Sequence, residues 1–559
     1  MLVWGTPIKG LSLVGLIAVG AFLVVAMLRP PVASQPTLDD LVIRSFEITA
    51  SIAPVPLRYE VTEGDELRFL SRGTLRGSAT AMMEVTAPDP VTTGRFYFDA
   101  DMKLTSVRAP GHEVTAARQQ DNLTLTFQPA LTPGARLPVT FEFEGQPLYI
   151  YDEFVVVRWG SLYPVLISPF GDFSANLGRV VLTLTVPGGY NVGATGKLVS
   201  RIGTTTKWDS EVAVPWIAIA GGRRHTVRER TVQGVTMQFY VQPGEDRNLD
   251  KLAGFAGRAV EFYSGLLYAF PYAELRTVSL LIVSGGIGYP AFLLIDDRAF
   301  KNTFSGSLNR DSFLLLLMAH EVAHSYVPSR TVPKGVGFIW LSEGFAEYLA
   351  LMAVEALLGP EAFKRELQEE RDNYGRVAGT RTEPSIASIT FANYRGPARP
   401  VIYSKGALVL HMLRGLIGEE AFKQGLAAYF RASRGRAARL SDFQEAMERA
   451  AGRPLHSFFQ QWIHDKVLPD YTVGDVRSTS VAGGGTTTTA VIRNLGTGRM
   501  IVEVGFVMDG DTLIEKTDVP ANGEVAVTTT TSKPVRQVEV DPRKWMIQKD
   551  YKNDAATVR

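Results

Sequence analysis

The pattern of apolar and polar positions changes texture several times along the chain. Leu11 to Leu28 is an uncharged run of apolar and small residues, with Lys9 before it and Arg29-Pro30-Pro31 after it. Coiled as a helix, this run would span about 27 Å, close to the hydrocarbon thickness of a bilayer. It is longer than the apolar stretch of a cleaved signal peptide, and no clean small-x-small site follows Leu28. The pattern therefore predicts a single-pass transmembrane anchor at 11–28, preceded by a short tail (1–10) and followed by a Pro-rich tether (29–39). The amino terminus and Lys9 narrowly outweigh Arg29, which favours a cytoplasmic N-terminus and places the bulk of the chain on the extracytoplasmic side of the cell membrane.

From residue 40 to about 245 the signals are those of strands. Leu123–Phe127 and Val139–Phe143 alternate, Val180–Val186 is a β-branched run, and Thr132-Pro133-Gly134 and Pro187-Gly188-Gly189 supply turns. From Asn248 to Ala269 the period becomes helical, and Thr277–Val283 is a buried-strand run. Asp311 opens an apolar helix ending near Pro328, and Trp340–Leu358 is a second, stopped by Gly359-Pro360. Helical spacing recurs in Glu361–Tyr374, Ser404–Leu416, Glu419–Ser433, Ser441–Ala451 and Pro454–Ile463, with Ser441 and Gln444 as a capping box. From Tyr471 the chain is β-like again, with turns at Gly483-Gly484-Gly485 and Ala521-Asn522-Gly523. The expectation is a multidomain α+β chain. An N-terminal transmembrane helix and a β-rich N-terminal domain (40–245) precede an α+β catalytic domain that continues into a helical region (246–470), and a small β-sandwich (471–559) closes the chain.

Composition narrows the chemistry. Across 559 residues, 58 Lys and Arg balance 57 Asp and Glu, which argues against a protein held to nucleic acid by a basic surface. The chain has no cysteine, which excludes disulfide frameworks, Cys-ligated zinc, iron–sulfur clusters and thiol nucleophiles. Any metal must be held by His, Asp or Glu, and there are only seven histidines.

Two of the seven fall in His320-Glu321-Val322-Ala323-His324, within the helix opened by Asp311. Positions i and i+4 share one helical face, so both imidazoles can converge on one Zn2+ ion, while Glu321 can reach a water beside it. Glu343, in Trp340-Leu-Ser-Glu-Gly-Phe-Ala-Glu347, is the candidate third ligand, and Glu347, one turn on, is a candidate acceptor for a ligating histidine. His411 sits among leucines and reads as a buried structural histidine; Leu314–Leu317 is too short for a second membrane span.

His320-Glu-x-x-His324 followed by Glu343 in its Trp-Leu-Ser-Glu-Gly-Phe-Ala context resembles the M1 family of gluzincin metallopeptidases, the group of aminopeptidase N and leukotriene A4 hydrolase. Ile402-Tyr403-Ser404-Lys405-Gly406-Ala407 is similar to the family's Tyr-x-Lys-Gly segment, and Phe458–Trp462 with Leu468-Pro469 to its late helical segment. The resemblance implies a thermolysin-like catalytic domain, one zinc ion per chain, Glu321 as general base and Tyr403 as donor to the oxyanion. It also implies a substrate-binding strand at Gly286, Ile287, Gly288 and Tyr289. There the sequence departs from the family. Aminopeptidases carry Gly-x-Met-Glu-Asn or a close bacterial variant, whose glutamate grips the substrate's free amine, and here Gly285-Gly-Ile-Gly-Tyr-Pro290 puts Gly288 at that position. Asp296 or Asp297 could substitute, or form a turn at a strand end, and the segment Pro164–Asp172 is where a second amine anchor would be sought. The expected function is thus a membrane-anchored zinc peptidase acting on peptide or protein substrates, without assured aminopeptidase specificity. The alternative is a non-catalytic, zinc-containing binding or assembly module on the same scaffold.

Overall fold

The computed structural model of the chain describes residues 40–53, 71–150, 154–157, 162–280, 285–481 and 484–558. The apolar run at 11–28, the tether and the glycine turn at Gly483 lie outside them. Among the described residues no helix is long and apolar enough to cross a membrane.

The N-terminal region is β-rich. Leu41–Ala53, Ser71–Val85 and Arg136–Ile150 lie side by side, antiparallel, in a ten-stranded sheet, and Leu41–Ala53 pairs in parallel with Arg179–Thr185 on its other edge. Alternation decides which face is buried: Phe46, Ile48, Ala50 and Ile52 point inward while the residues between them face solvent. A four-stranded sheet containing Val91–Tyr97 and Asn122–Leu131 closes this core, where Phe96 meets Phe141 edge-on with centroids 5.4 Å apart.

The sheet that carries the candidate site has five strands: β1 (Thr226–Val232), β2 (Val235–Val241), β3 (Glu274–Leu280), β4 (Gly286–Tyr289) and β5 (Phe292–Asp296). Their order is β1-β2-β3-β5-β4, with β2, β3 and β5 parallel and β4 an antiparallel edge. The β1–β2 hairpin precedes residue 246 and yet belongs to this sheet. The sequence boundary there rests on the start of helical periodicity, and an edge hairpin carries no comparable marker.

Five helices frame the site: α1 (Leu249–Leu266), α2 (Asp311–Ala323), α3 (Phe345–Leu358), α4 (Pro360–Gly375) and α5 (Gly406–Ile417). Every residue of α2 from Ser312 to Ala323 is buried, so it has no solvent stripe and packs as a core helix against α1, α3 and β4. Gly359, at φ 84°, ends α3, and Pro360 opens α4, a position where a missing N–H costs nothing. Two five-residue π-helical turns, Trp340–Gly344 and Val401–Lys405, lead into α3 and α5.

The helix Leu440–Ala451 begins one residue earlier than Ser441. Its cap is the Arg439 N–H donating to Asp442 at 2.7 Å, whereas Gln444 bonds Glu448 at 2.9 Å, so the Ser441–Gln444 box does not form. Burial of Leu440 pulls the helix start back. Downstream, a three-stranded sheet (Tyr471–Val481, Gly485–Asn494, Gly523–Thr531) and a four-stranded one built on Met500–Met508 share one apolar core with the helical region.

Candidate metal centre

His320 lies in the last turn of α2 and His324 at its C-cap. Glu343 comes from the π-helical turn before α3. Their ligand atoms converge: the two Nε2 atoms are 3.2 Å apart, and Glu343 Oε2 is 3.6 Å from His320 Nε2 and 3.5 Å from His324 Nε2. Ligands at the corners of a tetrahedron around zinc, with bonds near 2.1 Å, stand about 3.4 Å apart. The triangle matches that spacing, and all three residues are buried.

The outer nitrogens are held as well. His324 Nδ1 donates to the Val327 carbonyl at 2.9 Å, and Glu347 Oε2 lies 2.8 Å from His320 Nδ1. A proton fixed on His324 Nδ1 leaves its Nε2 lone pair free to bind a cation, while at His320 the Glu347 carboxylate stands at ion-pair distance from Nδ1 without a well-directed hydrogen bond. Burial alone would lower the two imidazoles, but Glu343 and Glu347 lift His320 well above its usual value, and Glu343 lifts His324. Burial would raise Glu343, and the two imidazoles instead hold it far below the carboxylate range. Two imidazoles and two carboxylates drawn together in a dry interior make a donor set suited to a divalent cation.

Glu321 supplies the test of fit. It is buried, and neither carboxylate oxygen has a hydrogen-bond partner. Burial pushes its carboxyl up to about 7, against the pull of His320 and His324. Buried carboxylates without partners are rare because leaving one unpaired is costly. A carboxylate orphaned beside three converging donors fits a site completed by a divalent ion and its water.

Tyr403 reaches the same centre from the second π-helical turn. Its ring stacks on His320, with centroids 5.9 Å apart and planes 28° from parallel, and its oxygen accepts a 2.6 Å bond from the Tyr394 hydroxyl. Burial and the Glu343 charge raise the Tyr403 phenol well above its usual range, so it stays protonated and can donate. The two π-helical turns close on one indole: Trp340 Nε1 donates to the Gly406 carbonyl at 3.1 Å. A Cβ on Gly344 or Gly406 would come within 2.4 Å or 2.6 Å of the Trp340 ring. Behind Tyr403, Lys405 is fully buried and bonds Glu383 at 2.8 Å.

The predicted substrate strand divides into two faces. Gly286 and Gly288 face α2: a Cβ on Gly286 would lie 2.5 Å from Glu321 Oε1, and one on Gly288 2.5 Å from His324 Cβ. Ile287 and Tyr289 alternate to the other face and pack into the core of the N-terminal region. Asp296 and Asp297 are occupied elsewhere, since Asp296 caps a short helix and pairs with Arg298 at 2.7 Å while Asp297 bonds Lys301 at 2.5 Å. Asp172 lines an apolar cleft shared with Glu343, Phe173, Phe338 and Phe391, and its carboxylate accepts from the Gly335 and Ser174 N–H groups. Sequence reasoning missed Tyr394 and Glu383. Both come from the loop between α4 and α5, where no periodic spacing ties them to the motif.

Residues 290–462 match the profile described as Peptidase family M1 domain. The chain is also similar to aminopeptidase N of Lactococcus lactis subsp. lactis, 26% identical over 277 residues that make up 45% of this chain and 31% of that protein. Aminopeptidase M1 of Arabidopsis thaliana is 22% identical over 259 residues, 45% of this chain and 29% of that protein. Tricorn protease-interacting factor F2 of Thermoplasma volcanium is 25% identical over 215 residues, 37% of this chain and 27% of that protein. The chain thus spans less than a third of the length of these relatives.

Proposed function

From the match of residues 290–462 to the Peptidase family M1 domain, we propose that the chain is a zinc-dependent peptidase with a relaxed requirement for a free substrate amine. The observation that carries the reading is the unpartnered Glu321 carboxylate standing beside His320, His324 and Glu343. A purely structural metal site has no use for an orphaned buried base, which weighs against the alternative of a non-catalytic binding module.

His320, His324 and Glu343 would hold the zinc, and the ion would supply Lewis-acid activation of water and of the scissile carbonyl. Glu321, with its carboxyl raised to about 7, is suited to take a proton from the attacking water and hand it to the leaving amine. The protonated Tyr403 phenol donates to the oxyanion, a contribution of about 2–4 kcal/mol for groups of this kind. Strand β4 is the sheet's outer strand and pairs only with β5 among the described residues, so its free edge can align an extended peptide. Gly288 offers no carboxylate to an ammonium, which removes the restriction to unblocked N-termini at that position.

The length of the apolar run at 11–28 supports a single-pass anchor, and the amino terminus and Lys9 against Arg29 favour the peptidase on the extracytoplasmic face of the cell membrane; a reporter fused to the C-terminus reads that topology. The chemical test is Glu321→Gln. The variant should retain stoichiometric zinc by metal analysis while hydrolysis of N-blocked and unblocked peptides is lost. Turnover near the wild-type rate would overturn the assignment.

A further inference from the structure

Arg399 stands at the edge of the centre with its charge uncommitted. Its guanidinium lies over the Tyr403 ring, 5.8 Å from the centroid, and its charge pulls against the burial that keeps the Tyr394 and Tyr403 phenols protonated. Nε is buried without a hydrogen-bond partner, and no carboxylate among the described residues forms an ion pair with the side chain. Neighbouring cations contrast with it: Lys405 is bound to Glu383 at 2.8 Å and Arg414 to Glu355 at 2.7 Å. Arginine is seldom withdrawn from water unless it is paired, so a half-buried guanidinium without an acid lacks a partner. Arg399, Tyr403 and Gly288 are each partly exposed, whereas the metal-ligating residues are buried.

The position fixes the partner's distance from the reacting bond. The Tyr403 ring centroid lies 5.9 Å from that of His320 and 5.8 Å from the Arg399 guanidinium carbon, so the cation stands at most about two such spacings from the His320 ring. An extended peptide advances about 3.3–3.6 Å per residue, so a group meeting Arg399 belongs to one of the first three or so residues from the scissile bond. A guanidinium presents a planar fork of donors that matches a carboxylate.

We propose that Arg399 is a specificity-determining residue that binds a substrate carboxylate within about three residues of the cleaved bond. The recognition element moves from the substrate's amine, for which Gly288 leaves no acid, to its acid. The carboxylate is either the peptide's C-terminus or an Asp or Glu side chain, and both meet the same fork. This deepens the peptidase reading and rests on it for hydrolysis, although binding alone can be measured without turnover.

The experiment uses matched peptides: an N-blocked tripeptide as free acid and as C-terminal amide, and an N-blocked amide with an internal Glu or Gln. Binding is followed by calorimetry to the zinc-loaded Glu321→Gln protein, and kcat/KM is measured on the protein with Glu321 intact. One acid-bearing peptide should bind about 10–100-fold more tightly than its neutral partner, the range expected for a charge-assisted pair. Arg399→Gln should bring that ratio close to one through KM, and Arg399→Lys should restore part of it. The acid-and-amide pair reports a C-terminal carboxylate, and the Glu-and-Gln pair reports a side chain. A ratio near one for both pairs in the Glu321→Gln protein, or a preference that survives Arg399→Gln, overturns the proposal. Acid-selective binding without hydrolysis by the Glu321-containing protein would instead retain this inference and sink the peptidase reading. Thermal melts establish that each variant is folded.

Discussion

Gly288 is seated against His324 with no room for a side chain. A Cβ there would come 2.5 Å from the histidine Cβ and 2.8 Å from both its Cδ2 and the Glu321 carbonyl. Restoring a glutamate at this position is therefore not a simple gain of an amine anchor. Gly288→Glu should displace His324, weaken zinc binding at least about tenfold in a chelator competition, and cost about 1–3 kcal/mol of stability through overpacking. A variant with wild-type zinc affinity that hydrolyses amino-acid arylamides faster would refute this.

Glu347 and Glu343 grip opposite nitrogens of one imidazole, at 2.8 Å from Nδ1 and 3.6 Å from Nε2 of His320. Removing the outer grip frees the ring to change tautomer. Glu347→Ala should lower zinc affinity about 10–100-fold, and Glu347→Gln, which still presents an acceptor, should lose less. Equal affinity in both variants would mean that Glu347 does not set the ring's orientation.

The Lys405–Glu383 pair is buried at both ends, with side-chain exposures of 0% and 4%. Removing the lysine leaves the buried Glu383 carboxylate without a cation, held only by the Tyr374 hydroxyl and the Gly379 N–H. Lys405→Met should cost about 3–5 kcal/mol, and the double variant Lys405→Met with Glu383→Gln should cost less than the single one. Denaturant unfolding measures both, and additive losses would count against a coupled pair.

His411 is buried, and burial together with the Arg371 and Arg414 charges holds its imidazole well below the usual value. Its ring also packs against Trp545, with centroids 4.5 Å apart and planes tilted by 33°. Because the unfolded chain takes up a proton near pH 6.5 and the folded chain does not, the stabilising contribution is complete above that pH. It is lost progressively as pH falls below 6.5, by up to about 1.4 kcal/mol per pH unit. In His411→Phe the decline of stability between pH 6.5 and 5 should flatten, whatever the variant's stability at pH 8. An unchanged slope would place the titration elsewhere.

The motif and its elements were legible because each carries a local signature. His320 and His324 are four residues apart on a helix, Glu343 sits in the turn that leads into the next helix, and Gly359-Pro360 ends that one. What lay hidden depends on contacts between segments distant in sequence. Tyr394 meets Tyr403 from an irregular loop, and Glu383 reaches Lys405 from the same stretch. Nor does the sequence reveal that two glycines of β4 press on α2, since a Gly-Ile-Gly triplet reads equally well as a loose turn. The Arg439–Asp442 cap displaced the Ser441–Gln444 box for a related reason: the helix start was chosen by the burial of Leu440, a tertiary demand.

The paired π-helical turns make the catalytic geometry a question of phase. Each holds one backbone loop wider than an ordinary helix allows, and each sets the azimuth of the side chain it carries, Glu343 in one and Tyr403 in the other. A single deletion in either turn would let the helix close to regular pitch and swing that side chain about 100° around the axis, away from the centre. The number of residues in each turn thereby constrains the site separately from their identity: Ser342 could be exchanged for another small residue, but it could not be omitted.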